Sequence, residues 1–327
     1  GIKQFDLAII DEASQILEPN LLGILCARHK NQTAIDKFIF IGDHKQLPAV
    51  VQQSERESIV SEPELIKIGM SDCRNSLFER LINIQKKNGS EEFILMMFIQ
   101  GRMHPEISSL KHQLEILHCP SYDKSDGLQN LIASHRLAFI VSKGDKNPIS
   151  DKTTKDEAIR KSALLKTIYT INKNNFNPQT VGVIVPYRNQ IALIRKEIKQ
   201  LNIPALSDIT IDTVERYQGS ERDFIIYGFT VQKIYQLEFL TGNVFKDNGQ
   251  TIDRKLNVVL TRARKQLFLI GNPQILSYNI IFQKLIKFID NRQGVCDIPT
   301  EYFIQGKFSC SPADKTSVPD SRQKLNV

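Results

Sequence analysis

Short apolar runs alternate with longer, more polar stretches along most of this chain. The runs at 5–10, 181–185 and 224–230 have the length and composition of buried strands. The stretches at 155–171 and 187–202 have the length of helices. Strands that alternate with helices form parallel sheets with helices on both faces, so the sequence predicts an α/β fold. The other candidate strands are 38–41, 93–98, 137–141, 209–214 and 267–270, and the other candidate helices are 19–28, 75–88, 252–264 and 278–290.

A change of pattern after Gly89 predicts two domains. This glycine ends a candidate helix, and an apolar run starts at Phe93 almost directly after it. We therefore predict a first domain at 1–92 and a second at 93–293. Residues 294–327 contain Pro, Ser and Lys without sustained periodicity, and we predict a linker or a disordered tail there.

The composition predicts an intracellular protein, in the cytoplasm or the nucleus, that is not secreted. The 327 residues contain no run of about 18 apolar residues that could span a membrane. The N-terminal residues lack the sections of a signal peptide, and the five cysteines are scattered without metal-ligand spacing, as expected for reduced thiols. The net charge of +7 fits, weakly, a polyanionic partner such as nucleic acid.

Two adjacent carboxylates, Asp11 and Glu12, follow the first candidate strand. One carboxylate at such a strand end can hold Mg²⁺, and the other can polarise the water that attacks a γ-phosphate. The alternative is an acidic surface turn, and the pair alone does not decide between the two.

Polar residues also follow the next strands. Gln46 lies in the run 42–48, and its amide can hydrogen-bond both a phosphate oxygen and a water. The alternative is a surface turn in which Asp43 bonds its own backbone. Arg102, in the run 100–105, can reach a nucleotide held by the first domain, or can be a solvated arginine on a turn.

Two further clusters lie in the second domain. In the run 212–223, Gly219 permits a tight backbone, and hydrogen bonds to a sugar or phosphate are offered by Thr213, Gln218 and Glu221. Arg262 and Arg264 are two residues apart on a predicted helix, so they point in different directions. At most one of them is then expected to contact phosphate.

The order of these clusters resembles the C-terminal motifs of superfamily 1 helicases, within the group that includes senataxin and the nonsense-mediated-decay helicase. The resemblance covers about residues 5 to 272, which is most of the chain. The matching segments are 11–15 (Walker B), 42–48 (motif III), 100–105 (the Gln-Tyr-Arg-Met-His-Pro box), 181–190 (a strand-to-helix segment), 213–223 (motif V) and 256–264 (motif VI).

The resemblance implies two RecA-like domains of the P-loop NTPase type, with the first sheet incomplete, and ATP-driven translocation on single-stranded DNA or RNA. ATP and Mg²⁺ are the implied cofactors. Asp11 would coordinate Mg²⁺ and Glu12 would activate water. Gln46 would sense the γ-phosphate, while Arg102 and Arg262 would stabilise the transferring phosphoryl group.

The resemblance also implies contacts to the nucleotide and to the nucleic acid. Glu221 would hold the ribose, and Tyr187 would stack on a base unless it is buried beside its neighbouring proline. The nucleotide contacts would come from Gln100, Gln218, Gly219 and Glu221, and the nucleic-acid contacts from Pro48, Pro186, Tyr187 and Thr213.

The chain departs from the family pattern in two places. Gly101 stands where relatives have a tyrosine that stacks on the adenine. A phosphate-binding loop needs Gly, four residues, then Gly-Lys-Ser/Thr, and the one Gly-Lys pair, Gly306-Lys307, is followed by Phe308. We expect a missing N-terminal helicase segment to carry the loop and the isolated chain to hydrolyse little or no ATP. The alternative is a non-catalytic module that binds nucleic acid or a protein partner, of which the sequence identifies none.

Overall fold

The computed structural model of the protein describes residues 3–90, 92–97, 126–148, 150–247 and 249–308, together with residues 103 and 107. The chain divides into two compact units, Gly1–Gln100 and Gly101–Val327. None of the described helices is both long and apolar enough to cross a membrane.

The first unit is built on two parallel strands, β1 (Phe5–Ile10) and β4 (Ile35–Phe40). Within the described residues their sheet has these two strands alone, and apolar side chains of both strands are exposed. A parallel sheet normally has both faces covered, so this one is incomplete, in agreement with the sequence. The segment between the strands contains α1 (Glu18–Leu25) and a small hairpin of β2 (Arg28–His29) and β3 (Gln32–Thr33).

Three helices complete the described part of the first unit: α2 (Glu55–Ser58), α3 (Pro63–Lys67) and α4 (Leu77–Asn88). The helix α4 begins where the Ser76 hydroxyl accepts from the Glu79 amide, and it ends at Gly89, whose φ is 65°. A bidentate ion pair joins α4 to α1, because the Arg80 guanidinium donates to both carboxylate oxygens of Glu18. The predicted strand at 93–98 is wrong over 93–97, since these apolar residues have no neighbouring strand to pair with among the described residues.

The described residues of the second unit form a parallel sheet of six strands with the order β12-β5-β11-β8-β6-β7. The central strands are apolar and buried on both sides, which explains why the sequence shows them as continuous apolar runs. The sheet strands are β5 (Leu137–Val141), β6 (Val181–Val185), β7 (Thr210–Thr213), β8 (Arg222–Gly228), β11 (Ala263–Gly271) and β12 (Val295–Cys296). A hairpin of β9 (Val244–Asp247) and β10 (Gln250–Asp253) lies outside this sheet.

Helices cover both faces of this sheet. One face packs on α5, α6 and α7, and on the other the rings of Phe139, Phe229 and Phe282 join the sheet to α12. The α/β fold class predicted from the sequence is therefore confirmed. The helices of this unit are α5 (Gly127–Ser134), α6 (Lys155–Ile171), α7 (Arg188–Gln200), α8 (Val214–Tyr217), α9 (Gln236–Leu240), α10 (Arg254–Leu260), α11 (Pro273–Leu276), α12 (Ile280–Asp290) and α13 (Thr300–Ile304).

The C-terminal segment corrects the predicted linker or disordered tail at 294–327. Its strand β12 pairs with β5, and α13 places the fully buried Phe303 against the core. The guanidinium of Arg160 lies 5.0 Å from the Phe303 ring centroid and donates to the carbonyl of Ile298 and the hydroxyl of Thr300. The prediction is wrong for 294–308, because these short elements depend on contacts with α6 rather than on periodicity. Residues 309–327 lie outside the described residues.

Candidate functional site

The acidic pair lies at the carboxyl end of β1, where both Asp11 and Glu12 are exposed. Glu12 has a left-handed backbone with φ of 51°, which is uncommon for a residue other than glycine. Its amide donates to Asp11 Oδ1 at 2.9 Å, and its Oε2 accepts from Gln15 Nε2 at 2.6 Å. A sharp turn thus holds the two carboxylates at the strand end, and Gln15 orients one of them.

The turn after β4 lies directly against this acidic turn. A Cβ atom at Gly42 would be 2.9 Å from the backbone nitrogen of Ser14, so a glycine permits the close approach. The Ser14 hydroxyl accepts from the Asp43 amide at 3.4 Å, and Asp43 Oδ2 accepts from Gln46 Nε2 at 3.1 Å. The structure therefore brings Gln46 to the strand edge that carries the acidic pair.

Asp43 also makes the side-chain to backbone hydrogen bond that the surface-turn alternative predicts. Its Oδ1 accepts from the backbone amide of Lys45, two residues further on, at 2.9 Å. The turn and the contact to Gln46 therefore coexist on the two oxygens of one carboxylate. Pro48 follows in the same segment. It is half-buried and comes directly after the buried Leu47.

The residues at this edge fit a magnesium ion that is held mainly by a nucleotide and water. No cluster of three or more His, Cys, Asp or Glu side chains that could form a protein-only cage exists among the described residues. Mg²⁺ is usually bound through one or two carboxylates together with substrate phosphates and waters. The exposed carboxylate of Asp11 would supply the hard oxygen ligand of such a site.

In the second unit, three predicted nucleic-acid residues lie at the carboxyl edge of the sheet. Pro186 and Tyr187 follow β6, and Thr213 ends the neighbouring β7, opposite Val185 in the register. All three are buried. Tyr187 is only 9% exposed, burial raises the pKa of its hydroxyl, and its ring stacks on Phe239 with centroids 4.9 Å apart. Of the two predictions for Tyr187, stacking on a base or burial beside its neighbouring proline, the structure shows the burial.

The predicted nucleotide residues of the second unit lie at the opposite, amino edge. Gly219 has a φ of +77° in the tight segment before β8, between Gln218 and Ser220. The side chain of Glu221 pairs with Arg264, whose Nη1 is 3.4 Å from Glu221 Oε1. The predicted ribose-binding carboxylate is therefore held by a cation at this edge of the sheet.

Arg262 has a different position from the one that the sequence predicts. The predicted helix at 252–264 is too long: α10 ends at Leu260, and β11 already begins at Ala263. Arg262 therefore lies on the turn and is only 1% exposed. Its guanidinium donates to the carbonyls of Val258 at 3.1 Å and Ser220 at 3.4 Å. The helix argument about Arg262 and Arg264 is wrong, and the role of Arg262 as a phosphate contact stays a prediction.

One segment connects the two edges. It leaves the carboxyl end of β7 at Thr213, passes through α8, turns at Gly219 and enters the amino end of β8 at Arg222. Because both strands are parallel to β6, the segment crosses the full height of the sheet. The segment therefore has one end at each edge of the sheet.

Several residues at these sites were not assigned from the sequence. Ser14, Gln15 and Asp43 join the acidic pair to Gln46, and their polar side chains close to two strand ends were the available signal. Phe239 carried no signal, because an aromatic residue in a short helix is ordinarily part of the core. Gln100, Gly101 and Arg102 lie outside the described residues.

The comparison with known proteins identifies the family. Residues 73–274 match a family model described as an AAA domain, and residues 1–54 match a second model of the same description. The first match spans more than half of the chain, so the chain belongs to this AAA domain family.

Individual relatives are named as helicases. The chain is 28% identical over 301 residues to the DNA replication ATP-dependent helicase/nuclease DNA2 of Gallus gallus, with 91% of this chain and 26% of the relative covered. It is 28% identical to the DNA polymerase alpha-associated DNA helicase A of Saccharomyces cerevisiae, with 83% and 39% covered. It is 30% identical to an uncharacterized ATP-dependent helicase of Methanocaldococcus jannaschii, with 87% and 38% covered. The resemblance to superfamily 1 helicases is thereby confirmed, and the chain spans about a quarter to two fifths of these relatives.

Proposed function

We propose that this chain is the C-terminal part of an ATP-dependent superfamily 1 helicase that moves along single-stranded DNA or RNA and couples ATP hydrolysis to unwinding. The observation that carries the proposal is the joined turn pair of the first unit, in which Ser14 and Asp43 link the acidic pair to Gln46. The names of the relatives support ATP dependence, and two of them favour DNA.

In this proposal the first unit carries the hydrolytic side chains. Asp11 would hold a magnesium ion, which supplies positive charge against the phosphates of bound ATP. Glu12 accepts a hydrogen bond from the attacking water and polarises it, with its carboxylate oriented by Gln15. Gln46, held by Asp43, donates to the γ-phosphate.

The second unit would carry nucleotide contacts on one edge of its sheet and the nucleic acid on the other. Gln218, Gly219, Glu221 and Arg262 belong to the amino edge, and Gln100 and Arg102 are proposed as further nucleotide contacts. At the carboxyl edge, Pro186, Tyr187 and Thr213 are buried and would shape the surface that meets the nucleic acid. Pro48 is the proposed nucleic-acid contact of the first unit. The segment from Thr213 to Arg222 would couple the two edges, because it is fixed at both.

A Glu12→Gln substitution in the full-length protein tests the proposal. Glutamine keeps the size of the side chain and one accepting oxygen but cannot act as a base. We expect ATP hydrolysis to be lost while the affinity for a single strand is retained. Glu64→Gln, at an exposed position on α3 of the same unit, is the matched control and should leave hydrolysis unchanged.

Two other outcomes would reject the proposal. Unchanged turnover in Glu12→Gln would remove the acidic pair from the chemistry. A wild-type protein that binds single strands but hydrolyses no ATP would favour the alternative of a non-catalytic binding module.

A further inference from the structure

One loop crosses the carboxyl edge of the sheet in the second unit. It leaves β5 after Val141 and enters α6 at Lys155. Its described residues 143–148 and 150–155, which we call the edge loop, are hydrogen-bonded to side chains that follow β8 and β6. Since β11 and β8 separate β5 from β6 in the strand order, the edge loop lies across the ends of several strands.

Two glutamine side chains fasten the edge loop in this position. Gln190 is 0% exposed, accepts from the amide of Thr154 at 2.8 Å and donates to the carbonyl of the same residue at 2.9 Å. Gln232 donates to the carbonyl of Thr153 at 2.7 Å and accepts from the Asp145 amide at 3.2 Å. The backbone of the edge loop is therefore held at both ends by the fold beneath it.

The two carboxylates of the edge loop are used within the protein. Asp145 accepts from the backbone amides of the first two residues of α6, at 2.7 Å and 3.0 Å. Asp151 Oδ2 accepts from the Tyr235 hydroxyl at 2.5 Å and from the Lys233 ammonium at 3.2 Å. Local donors thus compensate the negative charge of the loop.

The lysines of the edge loop are mostly uncompensated. Lys146, Lys152 and Lys155 are exposed, and none of the three makes an ion pair with a described residue. The remaining lysine, Lys143, has a partner in Asp297, with 3.7 Å between the ammonium and the carboxylate oxygen. The edge loop therefore presents free positive charge to the solvent.

A fourth exposed cation adjoins the edge loop. Arg188 is the first residue of α7, two positions before Gln190, whose side chain holds Thr154. The first turn of α7 contains no acidic residue, and the helix dipole disfavours a cation in that turn. The local fold does not account for a cation at this position, whereas an anion bound beside the free lysines would.

We propose that the edge loop binds the phosphate backbone of the single strand through Lys146, Lys152 and Lys155, with Arg188 beside them. The inference rests on the proposed function and adds phosphate contacts at the edge whose other proposed residues are buried. Ammonium groups attract phosphates without reading the bases, so these contacts do not depend on the sequence of the strand. Because glutamine side chains already fix the loop, binding orders little additional backbone.

A triple variant of the full-length protein, with Lys146→Ala, Lys152→Ala and Lys155→Ala, tests the edge loop. Its affinity for a single strand of thymidines is measured at several salt concentrations without nucleotide. Each phosphate contact to a single strand contributes about 0.7 to the slope of log affinity against log salt concentration, so we expect the slope to become shallower by roughly 2. At about 0.1 M salt, the affinity should fall by roughly 10- to 100-fold.

Two further triple variants separate the charge of the edge loop from other effects. Arginine at the same three positions keeps the positive charge, so this variant should retain the slope of the wild-type protein. Alanine at Lys166, Lys196 and Lys199, which are exposed further along α6 and α7, removes the same charge elsewhere in the unit and should also leave the slope unchanged.

The outcomes separate the edge loop from the proposed function. If the alanine variant of the loop keeps the wild-type slope, the edge loop is rejected while single-strand binding stands. It is likewise rejected if the arginine variant or the variant on α6 and α7 loses as much slope as the alanine variant does. If the wild-type protein binds no single strand, both the edge loop and the proposed function are rejected.

Discussion

Asp253→Asn should make the stability of the second unit less dependent on pH. Asp253 is 1% exposed, and its Oδ1 accepts from the Leu256 amide at 3.1 Å as the N-cap of α10. Its Oδ2 is buried without a hydrogen-bond partner among the described residues. Burial raises the pKa of this carboxyl to about 6, against the opposing effect of the amide hydrogen bonds and of Lys255.

The size and sign of the effect follow from that pKa. Each unit by which a pKa differs between the folded and unfolded states is worth about 1.4 kcal/mol, so a rise from 3.8 to about 6 corresponds to roughly 3 kcal/mol. Because the folded state prefers the protonated acid, this cost is absent below pH 3.8 and fully present above about pH 6. Asparagine does not ionise in this pH range, so the substitution removes the pH-dependent contribution of residue 253 to the stability.

The assay is hydrogen exchange at the amides of β8 and β11 in increasing urea, measured for both proteins at several pH values. We expect the stability of Asp253→Asn relative to wild type to increase by roughly 3 kcal/mol between about pH 4 and pH 7. Burying the asparagine amide has a cost that does not depend on pH. It shifts the stability difference between the two proteins equally at every pH, so the expected change with pH remains. A difference that does not vary with pH would refute the reasoning. Asp126→Asn, at the N-cap of α5, is the control that tests whether exchanging a capping carboxylate for an amide changes the free energy of unfolding by itself.

Three further predictions concern the buried ion pair, the tight segment before β8 and the isolated chain. Lys161 and Glu157 are 0% and 1% exposed and 2.7 Å apart, so Lys161→Met should cost about 3–5 kcal/mol in urea unfolding, and adding Glu157→Gln should recover much of it. Gly219→Ala meets no atom within 4 Å, so only its φ of +77° opposes it, and a loss of about 1 kcal/mol is expected in the same assay. The isolated chain should release negligible phosphate from ATP, because its sequence contains no phosphate-binding loop pattern.

The strands and helices that the sequence predicts best are those with their own periodicity. The strand at 181–185 and the helix at 155–171 have the predicted bounds, and the former is recognised because a buried parallel strand is apolar throughout. The helix predicted at 187–202 spans Arg188–Gln200, because its buried residues recur every four positions, at 190, 194 and 198. The predicted helix at 252–264 is too long, because residues 261–266 contain no glycine, proline or asparagine to mark the turn into β11. The strand β12 and helix α13 were missed because their order comes from Arg160 and the core.

In the candidate sites too, some positions could be predicted from the sequence and others could not. The position of Asp11, Glu12 and Gln46 at one edge could be predicted, since neighbouring parallel strands end together. The burial of Tyr187 could not, because it depends on Phe239 from a distant helix. Nor could the burial of Arg262, which depends on the carbonyl of Ser220 in another segment.

The central claim is that this chain is part of a motor whose ATP hydrolysis is coupled to single-stranded nucleic acid. The most direct measurement is the ATP hydrolysis rate of the full-length protein with single-stranded DNA, single-stranded RNA and no nucleic acid. We predict that at least one single strand raises the rate, and that Glu12→Gln abolishes the stimulated rate. A rate that no strand changes, or a stimulated rate that survives Glu12→Gln, would contradict the claim.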